Sequence, residues 1–111
     1  MDCIFCKIIN KEAPSEIVYQ DEKILAFKDT EPKAPVHLLI VPKKHIPSID
    51  YLRKDDMKLI GELCLVARKL AREYKISVNG YRLIFNIGRD AGQTVDHLHL
   101  HLLGGRKLPW A

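Results

Sequence analysis

The spacing of hydrophobic residues changes several times along this chain, and each change marks an element. In "CIFCKIIN", Ile4 and Ile8, and Phe5 and Ile9, stand four apart, which predicts one or two helical turns ending before Pro14. "SEIVYQ" and "KILAFKD" are short runs of branched and aromatic residues parted by Asp21 and Glu22, a hairpin pattern. "EPKAP" is a proline-bracketed loop that feeds "VHLLIVP", a third strand ending at Pro42. From Asp55 to Lys75, apolar residues recur at three- and four-residue steps: Met57, Ile60, Leu63, Cys64, Ala67, Leu70, Ala71 and Tyr74. Leu59 and Val66 widen that stripe beyond what one sheet face needs, so the helix is expected to meet a second surface, a partner subunit included. Gly80, in "VNG", suits a left-handed turn that ends it. "YRLIFNIG" then predicts a fourth strand, "GRDAGQT" a glycine-bearing loop and "VDHLHLHLL" a fifth strand. The sum is an α+β domain over residues 1–111, with a five-stranded antiparallel sheet in meander order, one long helix and a short N-terminal helix.

Composition narrows the function. With 47% hydrophobic and 29% charged residues and a net charge of +4, the chain reads as a soluble globular protein with mild basicity. Its lysines and arginines are scattered, which argues against a nucleic-acid groove and suits a small anionic ligand. No apolar run approaches the ~20 residues of a membrane span, and the N-terminal residues lack signal-peptide character, so a cytoplasmic protein is expected. Three cysteines are an odd number, poor for a disulfide framework and better suited to thiols or metal binding.

Three of the five histidines fall in "HLHLH", at His97, His99 and His101. On a strand they share one face, while Leu98, Leu100 and Leu102 share the other. The leucines would pack under the long helix, and the histidines would line a solvated face or a cleft. Imidazoles so placed can bind zinc or carry out nucleophilic catalysis with proton transfer. Gly88, Gly92, Gly104 and Gly105 bracket the run, and their backbone N–H groups are expected to approach an anion. Phosphate is the better candidate for the group attacked.

"GRDAGQTVDHLHLHLLGG" resembles the signature of the histidine-triad family, in its nucleotide-binding Hint branch. "ILAFKDTEPKAPVHLLIVPKKHI" resembles the family's upstream block, and "GRKLPWA" its tail. The resemblance implies a fold that dimerises by extending the sheet across two subunits. It also implies hydrolysis or transfer of nucleoside monophosphates linked through the α-phosphate. By position, it makes His99 the nucleophile of a nucleotidyl-imidazole intermediate, and His101 the phosphate contact and proton relay. His37 becomes the histidine that hydrogen-bonds the nucleophile, and Asp29 the acid that holds the ribose. Asn86, Gly92 and Thr94 become contacts on the phosphate and leaving-group side, and Thr30 lies next to the sugar. Ile4, Phe5, Ile8 and Phe27 are the apolar candidates to wall a base, of which Phe27 and Ile8 are the ones expected to do so. Histidine rather than glutamine at the third signature position favours hydrolysis of purine nucleoside 5′-phosphoramidates. Dinucleoside polyphosphates, acyl-adenylates, or a zinc-stabilised nucleotide-binding regulatory role remain alternatives.

With those histidines assigned, the pair Cys3 and Cys6 needs two more partners to make a metal site, and His45 and His97 remain. Bacterial-type members of the family that this chain resembles carry such a zinc site. A closed Cys₂His₂ set leaves no position for water, so the zinc would be structural. Cys64, on the helix stripe, is expected in the core. Trp110 is expected outside it.

Overall fold

The computed structural model describes residues 3–110. Helix α1 spans Ile4–Ile9, strands β1 and β2 span Ile17–Gln20 and Ile24–Lys28, and β3 spans Val36–Pro42. Helix α2 spans Met57–Glu73, followed by β4 at Tyr81–Ile84 and β5 at Leu100–Gly104. All neighbours pair antiparallel, in the order β1-β2-β3-β5-β4. The predicted fold class holds, but the order is not a simple meander, because β5 inserts between β3 and β4. Burial explains the exchange. Leu100, Leu102, Leu103 and Gly104 are all buried in β5, whereas Leu83 of β4 is 40% exposed. The strand covered on both faces takes the interior position and the half-wet one the edge.

Both faces of the sheet are covered. On one, α2 lays Leu63, Val66, Ala67, Leu70 and Ala71 against Ile24, Ala26, Leu38, Ile40, Leu98, Leu100 and Leu102. On the other, α1 brings Cys3, Phe5 and Ile8 over Leu25, Phe27, Leu39 and Val41. The alternation of β2 and β3 divides their residues between these two clusters.

Three expectations change in detail. The fourth and fifth strands are shorter than predicted: β4 stops at Ile84, and the chain bends over residues 95–97 and joins the ladder only at Leu100. The side-chain alternation nevertheless runs through them, since Leu98 sits with Leu100 and Leu102. Cys64 is exposed rather than in the core, because the buried face of α2 turns toward Val66. The helix ends not at Gly80 but at Glu73, and just beyond it the φ of 60° at Lys75 lets Ile76 N–H reach the Ala71 carbonyl at 3.0 Å. Trp110 lies on the surface, as expected.

Gly104 lies where α2's end meets the sheet: a Cβ built there stands 2.8 Å from Ile76 Cδ1 and 3.2 Å from Ile76 Cβ. Gly104→Val should therefore overpack this contact and destabilise the fold by about 1–3 kcal/mol, read as a lower urea midpoint with an unchanged m-value.

Candidate active site and metal group

Two carbonyl oxygens decide what the histidine run can do. A carbonyl only accepts, so an imidazole nitrogen facing one must carry the hydrogen. His99 Nδ1 lies 2.7 Å from the His97 carbonyl oxygen and donates to it. In the neutral ring this leaves Nε2 as a bare lone pair. His97 uses its other nitrogen: Nε2 donates to the Pro42 carbonyl at 2.8 Å, which leaves Nδ1 bare. The two rings thus present lone pairs from opposite nitrogens.

Their surroundings keep them neutral. The histidine face is neither solvated nor wholly in a cleft: His97 is 0% and His99 7% exposed beneath α1. Burial lowers the pKa of both, and of buried His37. His101 is held down to about 4, first by burial and then by His99 and His37 alongside.

His37 pairs with His101 rather than with His99. The Lys33 backbone N–H donates to His37 Nδ1 at 3.0 Å, so His37 Nε2 carries the ring hydrogen. That nitrogen lies 2.9 Å from His101 Nδ1 and 3.4 Å from Asp29 Oδ2. Donation from His37 makes His101 Nδ1 an acceptor and leaves His101 Nε2–H for a ligand. The expected contact to His99 is displaced because register sets Leu39, not His37, opposite His101, and His37 reaches along β3 from beside Leu103.

The site is two adjoining cavities of unlike polarity. The polar one, about 470 Å³, is lined by Asp29, Lys33, His37, Asn86, Gly92, Thr94, His99 and His101 among others. The second, about 500 Å³, is walled by Ile4, Phe5, Ile8, Phe27, Leu39 and Val95, and Thr30 lies at its rim. Asp29, Glu31, Thr94, His99 and His101 line both and so stand at the junction. All the residues assigned to the cleft from sequence therefore line it.

The glycines act differently from expectation. Gly88 N–H donates to Gln93 Oε1 at 2.8 Å and Gly92 N–H to the Arg89 carbonyl at 3.0 Å. Both amides are spent inside the loop, whose positive φ values of 83° and 87° at these glycines let it fold back on itself. Gly104 serves packing against Ile76, and Gly105 turns the chain at φ 99° beside Pro35. Asn86 braces the same loop, its Nδ2 donating to the Ala91 carbonyl at 2.9 Å. Sequence reasoning missed Gln93, whose Nε2 donates to the carbonyls of Pro47 and Val95 at 2.8 and 3.0 Å. It also missed the Lys33 amide on His37. A glutamine inside "AGQT" was a visible signal, whereas a backbone contact leaves no mark on residue type.

Among the described residues, two groups bring metal-ligating atoms within 4.8 Å of one another: Cys3, Cys6, His45 and His97, and Asp29, His37 and His101. The first fits a metal. His97 Nδ1 is bare and lies 3.4 Å from Cys3 Sγ, 3.6 Å from Cys6 Sγ and 3.1 Å from His45 Nδ1, and Cys6 Sγ is 3.4 Å from His45 Nδ1. A tetrahedron with zinc–nitrogen bonds of about 2.0 Å and zinc–sulfur bonds of about 2.3 Å has edges of roughly 3.3–3.8 Å; three of these separations fall in that range and the His45–His97 one, at 3.1 Å, just below it, which is compatible with zinc. Burial, and Cys3 beside it, push the Cys6 thiol pKa up, a cost that a divalent cation would remove. The His97 bond to the Pro42 carbonyl is the outer support that metal-binding imidazoles normally have. The second group does not fit, because His37 Nε2 already carries a hydrogen and has no lone pair to give.

A small α+β domain with a buried, tautomer-fixed imidazole at the junction of a polar and an apolar cavity is the class this fold and site define. The family model described as "Scavenger mRNA decapping enzyme C-term binding" matches residues 2–108. The chain is 49% identical over 109 residues to an uncharacterized HIT-like protein of Synechocystis, covering 98% of this chain and 95% of that one. A HIT family hydrolase from Legionella pneumophila superposes with a TM-score of 0.96 at 50% identity, covering 98% of this chain and 97% of the other. A histidine triad nucleotide-binding protein from Candida albicans superposes at 0.84 with 34% identity, covering 99% and 83%. The chain belongs to the histidine-triad (HIT) family and has its hydrolase-like fold.

The low pKa of His101 has a consequence for stability. The unfolded chain takes up this proton as pH falls below 6.5, while the folded chain takes it up only near 4. The contribution is therefore complete above pH 6.5 and is lost as pH falls toward 4. With parent and variant in the same metal state, unfolding free energy should fall less steeply over this window in His101→Gln; equal slopes would exclude the linkage.

Proposed function

We propose that this protein hydrolyses purine nucleoside 5′-phosphoramidates of the AMP type through a covalent nucleotidyl intermediate on His99. The observation that carries the reading is the bond from His99 Nδ1 to the His97 carbonyl at 2.7 Å. It presents an uncharged Nε2 lone pair at the junction of the two cavities, where a nucleotide's α-phosphate would lie if its base entered the apolar side. The Candida relative's description as nucleotide-binding and the Legionella relative's as a hydrolase support the same direction.

In this reading Phe27 and Ile8 hold the base, Asp29 the ribose hydroxyls with Thr30 beside the sugar, and Asn86 and Thr94 the phosphate and leaving-group side, where Gly92 forms part of the wall with its N–H already engaged in the loop. His99 Nε2 attacks phosphorus while the P–N bond breaks, and the departing nitrogen takes a proton through His101 Nε2. Water then attacks the phosphoryl-imidazole, returning its proton to the His101–His37 pair, and nucleoside monophosphate leaves. Phosphoryl transfer depends more on positioning and charge stabilisation than on a strong acid, which suits neutral rings in a closed pocket. The low His101 pKa keeps this ring a neutral donor and acceptor at neutral pH.

Two further parts belong to the proposal. Cys3, Cys6, His45 and His97 hold a structural zinc ion, whose chemistry is to fix the chain around it. Thiol ligands need a reducing compartment, which supports a cytoplasmic setting. The protein is a homodimer that extends its sheet across the subunits. The edge position of β4, with exposed Leu83 there and exposed Leu65 on α2, supports that arrangement.

Replacing His99 by Asn or Gly should lower hydrolysis of an adenosine 5′-phosphoramidate by ~10³-fold or more and abolish trapping of a nucleotidyl-enzyme. Unchanged turnover in either variant refutes the mechanism. Metal analysis should find one zinc per chain in the parent and almost none in the double variant Cys3→Ser, Cys6→Ser. Zinc retained by that variant would place the ion elsewhere.

A further inference from the structure

Helix α1 has only six residues, too few to hold a helical conformation by itself. What holds it lies at its start. Cys3 caps the helix, its Sγ accepting the Cys6 N–H at 3.3 Å, and both sulfurs reach the metal-group histidines. Phe5 stands between those two cysteines and is 6% exposed. Its ring meets three others nearly edge-on: His99 at a centroid distance of 5.0 Å and 86°, His97 at 5.8 Å and 72°, and Phe27 at 5.4 Å and 67°. One side chain thus touches a metal-group imidazole, the imidazole whose Nε2 faces the cleft, and the wall of the apolar cavity. A second path runs through one residue. His97 gives Nδ1 to the metal group, and its carbonyl accepts the hydrogen bond that sets the tautomer of His99.

We infer that the metal group positions the reacting imidazole and closes the base cavity, with Phe5 as the positioning residue that carries the effect. This rests on the reading of the cleft as a nucleotide site and of the cysteine–histidine group as a zinc site. With both sulfurs bound, α1 is pinned and Phe5 presses on His99, whose other aromatic neighbour is His101. With the sulfurs released, α1 loses its anchor, the apolar cavity loses the wall formed by Ile4, Phe5 and Ile8, and His99 is free to rotate away from the His97 carbonyl. A closed metal site just outside the cleft would thus govern the chemistry without touching a reacting atom.

Two readouts that do not need turnover test this: the tautomer of His99, from long-range ¹H–¹⁵N imidazole spectra, and AMP affinity by calorimetry. Each is recorded for the zinc-loaded parent, the chelator-stripped parent, and zinc-loaded Phe5→Leu and Phe5→Ala. The loaded parent should show a single Nδ1–H form of His99. Stripping should give a mixture of tautomers and weaken AMP binding about tenfold. Phe5→Ala should reproduce both changes while keeping one zinc per chain, and Phe5→Leu, which keeps apolar bulk but loses the ring edge, should shift the tautomer more than the affinity. If stripping unfolds the chain, the two loaded Phe5 variants decide alone. An unchanged His99 spectrum and AMP affinity after stripping, or in both Phe5 variants, overturns the inference, as does a parent that binds no zinc. If the loaded parent binds no AMP, the nucleotide reading fails instead, and the His99 spectra still decide this one.

Discussion

A carbonyl oxygen has no hydrogen to give, and this one-sided chemistry organises the centre of the protein. The carbonyls of Pro42 and His97 each demand an N–H from an imidazole, and they demand it from opposite nitrogens of two rings only two residues apart. His97 is thereby left with a bare Nδ1 turned to two thiols, and His99 with a bare Nε2 turned to the cleft. The Lys33 amide does the reverse, since a backbone N–H can only donate, and it forces the hydrogen of His37 onto Nε2, toward His101. Identical side chains present different atoms, a bare Nδ1 beside two thiols, a bare Nε2 at the cleft and an Nε2–H turned to a neighbouring ring, because the backbone beside each has a fixed hydrogen-bonding sense.

Backbone groups can exert such control only if they do not move, and the sheet supplies that. Leu98, Leu100 and Leu102 are 2%, 1% and 0% exposed beneath α2, so the segment bearing the histidines is clamped from behind. Burying three leucine side chains stabilises by roughly 1.5–3 kcal/mol each. Rotating the run by one residue would put three imidazoles into that core and the leucines into the cleft. Packing on one face therefore sets the chemistry available on the other.

Much of this was legible in the residues. Strict alternation from His97 to Leu102 announced a two-faced run, and the fold class, the helix and the histidines, Asp29, Asn86 and Thr94 of the cleft followed from periodicity or from the family resemblance, whereas Glu31, Lys33, Leu39 and Val95 did not. What could not be read was set by tertiary partners. The partner of His37 depends on the register of β3 against β5, which residue type does not record. The interior place of β5, between β3 and β4, depends on burial summed over both sheet faces. The glycine loop misled because a glycine marks freedom of φ, not the destination of its N–H; here Gln93 and Arg89 claim those amides. Cys64 lay on a helix stripe broader than the surface available, so some of the stripe had to stay wet.

The same limit hides the link between the cysteine–histidine group and the cleft from residue types alone. Sequence reasoning sorted His97 with the cysteines and His99 with the phosphate chemistry, as if they were independent assignments. They are joined by a single peptide unit and by the ring of Phe5, and neither link involves a residue type that advertises chemistry. A phenylalanine between two cysteines reads as core, and so it is. Its edge contact with His99 arises only because a six-residue helix, unable to stand alone, is held down over the imidazoles by the sulfurs at its start. A helix long enough to fold on its own intrinsic preference would have left the two sites independent.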